Sequence, residues 1–123
     1  MCSSDLFVHD TARGFIAAAM SEQTIGKVTN VGSGFEISIG ETVEVIAEAM
    51  GVTVEIIADD QRVRPDNSEV ERLWAGTEKA LERMNWTPEF GGRDGFLKGL
   101  SITAEWFSQP ENLKHYKHDL YNV

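Results

Sequence analysis

SIGETVEVIAEAMGVTVEI, residues 38–56, is the stretch on which the fold reading turns. Ser38 and Glu41 stand three residues apart, the capping-box spacing. The serine hydroxyl can accept the N3 amide while the glutamate carboxylate reaches back to the cap amide. Val43, Ile46, Ala47 and Met50 then recur at helical spacing on one face. Gly51 occupies the place of a helix C′ residue. Beyond it, Val52, Val54 and Ile56 alternate with Thr53 and Glu55, the period-two pattern of a half-buried strand. A helix running straight into a strand predicts an α/β arrangement.

Working toward the amino terminus, Val28 to Val31 predicts a second short strand, closed by Gly32-Ser33-Gly34. Before it, Ala12, Phe15, Ile16, Ala19 and Met20 form an apolar stripe over residues 11–21. Asp10 stands where an N-cap would accept first-turn amides. Phe7-Val8-His9 reads as the end of another strand. Toward the carboxy terminus, residues 59–67 are polar, contain Pro65 and predict a loop. Ser68 can cap a helix whose stripe is Val70, Leu73, Trp74, Leu81 and Met84, ended by Trp86-Thr87-Pro88. Gly91-Gly92 predicts a turn, and a last helix carries Phe96, Leu100, Ala104 and Phe107 and stops before Pro110. Gly95 and Gly99 weaken that helix by up to about 1 kcal/mol each relative to Ala, so tertiary packing is expected to hold it. The predicted order is strand–helix–strand–helix–strand–helix–helix, with about four helices in an α/β fold.

Composition bounds the function. The 123 residues carry 20 acidic and 11 basic side chains, a formal net charge of -9, with 41% hydrophobic and 25% charged residues. This is one soluble globular domain. A domain of this length buries roughly two-thirds of its chain surface, which leaves no room for a complete dinucleotide enzyme with its own substrate domain. The negative charge argues against nucleic acid and against an anionic membrane as partners. A single cysteine, Cys2, excludes an internal disulfide and points to a reducing, cytoplasmic compartment. No apolar run approaches the ~20 residues of a membrane-spanning helix. No basic segment followed by an apolar one marks a secretory signal.

The residues that could carry chemistry are few. Cys2 has no partner fixed by spacing and reads as an inert thiol. His115 and His118, spaced i, i+3, could share a face if the tail were helical, but a zinc site needs three or four ligands and nothing completes one, so they read as solvated tail histidines. His9 reads as a strand-end residue, not a base. Gly32-Ser33-Gly34 resembles half of a dinucleotide fingerprint, but Ile37 stands where the third glycine would fall, so it reads as a turn. Arg62 and Arg64 flank Val63 ahead of Pro65 in an otherwise acidic chain. An arginine fork matches phosphate oxygens bidentately. The same arginines could instead pair with Asp59, Asp60, Asp66 or Glu69.

Five stretches then occur in the order found in one family: Phe-Val-His-Asp-Thr-Ala-Arg-Gly-Phe (7–15), Asn-Val-Gly-Ser-Gly (30–34), Glu-Ile-Ser-Ile-Gly (36–40), Arg-Pro with Ser-Glu-Val-Glu-Arg-Leu (64–73) and Asn-Trp-Thr-Pro (85–88). From about residue 7 to residue 123 the chain resembles the carboxy-terminal part of extended short-chain dehydrogenase/reductases, the NAD-dependent epimerase/dehydratase group. It is most similar to nucleotide-sugar 4,6-dehydratases of the UDP- or GDP-N-acetylglucosamine type in legionaminic acid pathways, with GDP-mannose 4,6-dehydratases as neighbours.

The resemblance implies a nucleotide-diphosphate sugar as ligand. Asn30 and Arg64 fall at positions that contact the substrate diphosphate, Arg62 is placed to support the same anion, and Glu69 falls near a position that contacts nucleotide hydroxyls. It also implies NAD as the cofactor of the intact enzyme, bound by an amino-terminal Rossmann domain that these residues do not include, and a homodimer or higher assembly. The Tyr-x-x-x-Lys pair of the family is missing, since Tyr116 is followed four residues on by Leu120. No catalytic residue, cofactor site or metal site is therefore assigned, and this stretch alone is expected to be inactive. Two positions depart from the family pattern: Gly76 replaces an Asp, and Ser3 replaces an Arg that also binds diphosphate. Residues 1–6 resemble a translated sequencing-adapter tail and are expected to be a non-native leader on a truncated reading frame. A nucleotide-sugar 4-epimerase or decarboxylase, or a free-standing binding domain, are the alternatives. Phe7, Val28 and Val31 are expected to face the absent Rossmann sheet and so to leave this stretch marginally stable.

Overall fold

The computed structural model describes residues 6–57 and 75–114. Among them, five α-helices and one 3-10 turn follow in order: α1 (Val8–Met20), the turn Glu22–Thr24, α2 (Ile39–Met50), α3 (Glu78–Met84), α4 (Gly92–Phe107) and α5 (Pro110–Leu113). No strand occurs among the described residues, so the α/β expectation is overturned. Alternation prepares a segment for a sheet, but a strand exists only when a neighbouring edge pairs its amides and carbonyls. Val52, Val54 and Ile56 leave α2 without such an edge and stay exposed. Val28 to Val31 has none either, and Val28 is 84% exposed. Phe7 is the N-cap of α1, not part of a strand, and His9 lies in the first turn of α1. The loop at 59–67, the helix start at Ser68 with Val70, Leu73 and Trp74, and the tail from His115 lie outside the described residues.

Local chemistry explains α2 best. The Ser38 hydroxyl accepts the Glu41 amide at 3.1 Å, and the Glu41 carboxylate accepts the Ser38 amide at 2.9 Å, completing the box. Gly51 ends the helix at φ 65°, a left-handed conformation that costs glycine little. The Ser38 side-chain and backbone bonds hold the Glu41 carboxyl below its usual range. A depressed carboxylate pKa stabilises the fold fully above the ordinary value, and that contribution disappears as pH falls through the depressed one. Thermal unfolding between about pH 5 and pH 2 should therefore depend less on pH in Glu41→Gln than in the parent chain. Identical slopes would remove the capping box from the acid response.

Packing reverses the prediction for α1. Its buried residues are Asp10 and Gly14, while Phe15, Ile16 and Met20 are 74%, 60% and 83% exposed. The large apolar stripe thus points away from the rest of the described chain. The small-residue side faces inward because another segment lies against it: a Cβ at Gly14 would sit 3.0 Å from Val31 Cγ1. On α2 the buried residues are Val45 and Ala47, whereas Met50 of the predicted stripe is exposed.

The α2–α4 pair is the broadest helix contact. Arg93 and Glu48 link these helices at 2.8 Å, but both are half exposed, and such pairs contribute at most about 1 kcal/mol. The two glycines of α4 allow close approach. A Cβ at Gly95 would meet the Phe90 carbonyl oxygen at 2.6 Å, and one at Gly99 would lie 3.1 Å from the Phe7 ring. Phe7 also stacks on Phe90 with centroids 4.4 Å apart. The buried apolar residues are Ile37, Val45, Ala47, Ala80, Trp86 and Phe90. Phe7 and Val31 therefore pack within the chain, against expectation, and Val28 does not. Pro110 opens α5 at its first turn, where a missing amide costs nothing. Among the described residues no helix is long and apolar enough to cross a membrane.

Candidate functional site

The turn 28–34 carries Asn30, the one predicted ligand-binding residue that is described. Asn30 is exposed, and among the described residues its side chain has no hydrogen-bond partner. Its neighbours are tied down on both sides. Before it, Arg83 of α3 donates from Nη1 to the Val28 carbonyl at 2.9 Å and to the Thr29 hydroxyl at 3.1 Å. After it, Val31 rests on Gly14 of α1, and a Cβ at Gly32 would meet the Ala75 Cβ at 2.8 Å. Ser33 is buried; its hydroxyl accepts the Phe35 amide at 3.3 Å and donates to the Phe35 carbonyl at 3.2 Å. Gly34 then turns the chain at φ 64°.

The scaffold beneath this turn depends on Asp10. Its carboxylate is fully buried and accepts the Glu89 amide at 2.9 Å and the Phe90 amide at 2.8 Å, with Arg13 donating to it at 2.9 Å. The sequence reading placed Asp10 as an N-cap of its own helix. It lies instead in the first turn of α1 and binds amides about eighty residues away in sequence. Spacing carries no signal for such a pairing. Arg83 was also missed: a basic residue in the last turn of a helix reads first as a dipole partner.

Arg62, Arg64 and Glu69 lie outside the described residues, as do Cys2, Ser3, His115, His118 and Tyr116. The structure thus shows one member of the predicted diphosphate set. His9 is exposed, with its ring 4.8 Å from Phe7 and 6.3 Å from Phe90. No cluster of three or more His, Cys, Asp or Glu among the described residues could hold a metal ion. An apolar cleft of about 350 Å³ between the start of α1 and α4 is lined by Phe7, Phe90, Phe96 and Leu100 among others, and does not include the Asn30 turn.

In the Gly-Ser-Gly turn and at the start of α2, several groups that a dinucleotide phosphate would need are already engaged. Gly32 faces Ala75, Ser33 is satisfied by Phe35, and the amides of Ser38 and Glu41 at the start of α2 are taken by the capping box.

No protein-family model and no solved structure matches the chain. A curated relative does, and it supports a likeness to short-chain dehydrogenase/reductase-type enzymes at that coarse level. It is "Putative GDP-L-fucose synthase 2" of Arabidopsis thaliana, 32% identical over 78 residues, which are 63% of this chain and 21% of that protein. The matched part thus spans about a fifth of the relative's length.

Proposed function

We propose that this chain is the nucleotide-diphosphate-sugar-binding, carboxy-terminal part of a cytoplasmic nucleotide-sugar enzyme. Asn30 supplies an amide donor to the diphosphate. Arg64 supplies a guanidinium fork, Arg62 adds charge beside it, and Glu69 accepts from nucleotide hydroxyls. The observation that carries this reading is Asn30 itself: an exposed amide, without a hydrogen-bond partner among the described residues, on a turn fixed from both sides. Exposed polar residues on rigid turns are where binding concentrates. NAD, the cofactor that the family resemblance implies, would be held by another part of a longer protein. The finer assignment is a 4,6-dehydratase, from the five stretches in register. The name of the Arabidopsis relative favours a second reading, a GDP-sugar epimerase or reductase.

Titration of the 123-residue chain with UDP and with GDP, followed by ¹⁵N-resolved amide shifts, tests the binding claim at millimolar sensitivity. Arg64→Ala should weaken binding roughly tenfold or more, the worth of a charge-assisted hydrogen bond. Equal affinity would remove Arg64 from the site. A preference for GDP or UDP would assign the base, and product analysis of the longer enzyme, with a 4-keto-6-deoxy sugar formed only by the dehydratase, separates the two readings.

A further inference from the structure

We infer that Arg83 is a positioning residue for Asn30, acting through the backbone of residues 28–29. The inference rests on the diphosphate reading of Asn30 and adds to it a residue that reading does not use. Arg83 sits on α3, far from Asn30 in sequence, yet one guanidinium nitrogen bonds both the carbonyl of Val28 and the hydroxyl of Thr29. The carbonyl of Arg83 in turn accepts the Ser21 hydroxyl, so the last turn of α3 is tied to the segment that leaves α1. The Val31 contact with Gly14 and the buried Ser33 fix the other side of the turn. Asn30 is the exposed residue between two anchored flanks.

This arrangement has a binding consequence. A side chain that must be ordered on binding loses affinity to that ordering, and a pre-fixed backbone removes part of the loss. Val28 has no strand partner among the described residues, so its carbonyl would otherwise be free to reorient. An arginine that served only as a cation at the helix end would stabilise α3 and leave nucleotide affinity untouched. The two roles therefore differ in what they move.

The test is a titration of the 123-residue chain with GDP and with UDP in four variants: Asn30→Ala, Arg83→Met, Arg83→Lys, and Asn30→Ala with Arg83→Met. Arg83→Met should weaken binding about fivefold, with part of the loss recovered in Arg83→Lys. On the Asn30→Ala background, Arg83→Met should cost little more, because residues acting through one another are not additive. Undiminished affinity in Arg83→Met, or a full additional loss in the double variant, would overturn the inference. Amide exchange at 29–31 in the ligand-free chain separates the two possible failures. If exchange is unchanged in Arg83→Met, the positioning role falls whatever the nucleotide result. If Asn30→Ala binds like the parent, the diphosphate reading falls instead, and with it any role for Arg83 in binding.

Discussion

Asp10→Ala should destabilise the chain by about 3–5 kcal/mol, the range for removing one partner of a buried charged contact. The carboxylate is fully buried and is the acceptor for two backbone amides, those of Glu89 and Phe90. Truncation leaves both donors without a partner, at about 1–3 kcal/mol for each buried group. Among the described residues it also leaves Arg13 with only Glu89, at 3.4 Å and half exposed. Against a total stability of about 5–15 kcal/mol, such a loss removes at least about a fifth of the folding free energy. Urea unfolding monitored by the tryptophans would measure it. Asp10→Asn should cost less, because its one remaining oxygen still accepts an amide. A change below about 1 kcal/mol in Asp10→Ala would show that the pairing contributes little.

Gly95→Ala is the second large effect, and it runs against helix propensity. In a free helix the substitution gains up to about 1 kcal/mol. Here the new Cβ would sit 2.6 Å from the Phe90 carbonyl oxygen and 2.7 Å from its Cα. The obstacle is backbone and cannot turn aside like a flexible side chain. Moving it disturbs the same Phe90 amide that Asp10 holds. Overpacking of this kind costs about 1–3 kcal/mol, so a net loss of up to about 2 kcal/mol is expected after the propensity gain. A melting temperature equal to or above that of the parent chain would show that the α4 start can shift freely.

The legibility of this chain follows interaction range. The capping box at Ser38 and Glu41 and the stop at Gly51 are local, and both stand in the structure as the sequence implies. The helix carrying Phe96, Leu100, Ala104 and Phe107 also stands and stops ahead of Pro110, but Gly91 and Gly92 are its N-cap and first residue and not a separate turn, and a further short helix, α5, follows it. The strands were not legible, because alternation at Val52, Val54 and Ile56 describes a face and says nothing of a pairing edge. The stripe on α1 misled for a related reason: period gives a face, while the neighbour that covers a face is set by distant residues. Val31 against Gly14 is such a neighbour. For the candidate site, the choice of Asn30 rests on the ordered family stretches alone, and the bonds from Arg83 to its neighbours are visible only in the fold. Arg62, Arg64 and Glu69 lie outside the described residues.

The Asp10 bonds have a further consequence in time. They join amides 79 and 80 residues away, so the backbone must close a very long loop before this carboxylate finds its donors. Closure entropy grows only slowly with length, yet folding speed falls as contacts become less local. Helices of this size form within about a microsecond. The search for the partner segment is therefore expected to outlast the formation of the helices themselves, although no strand occurs among the described residues.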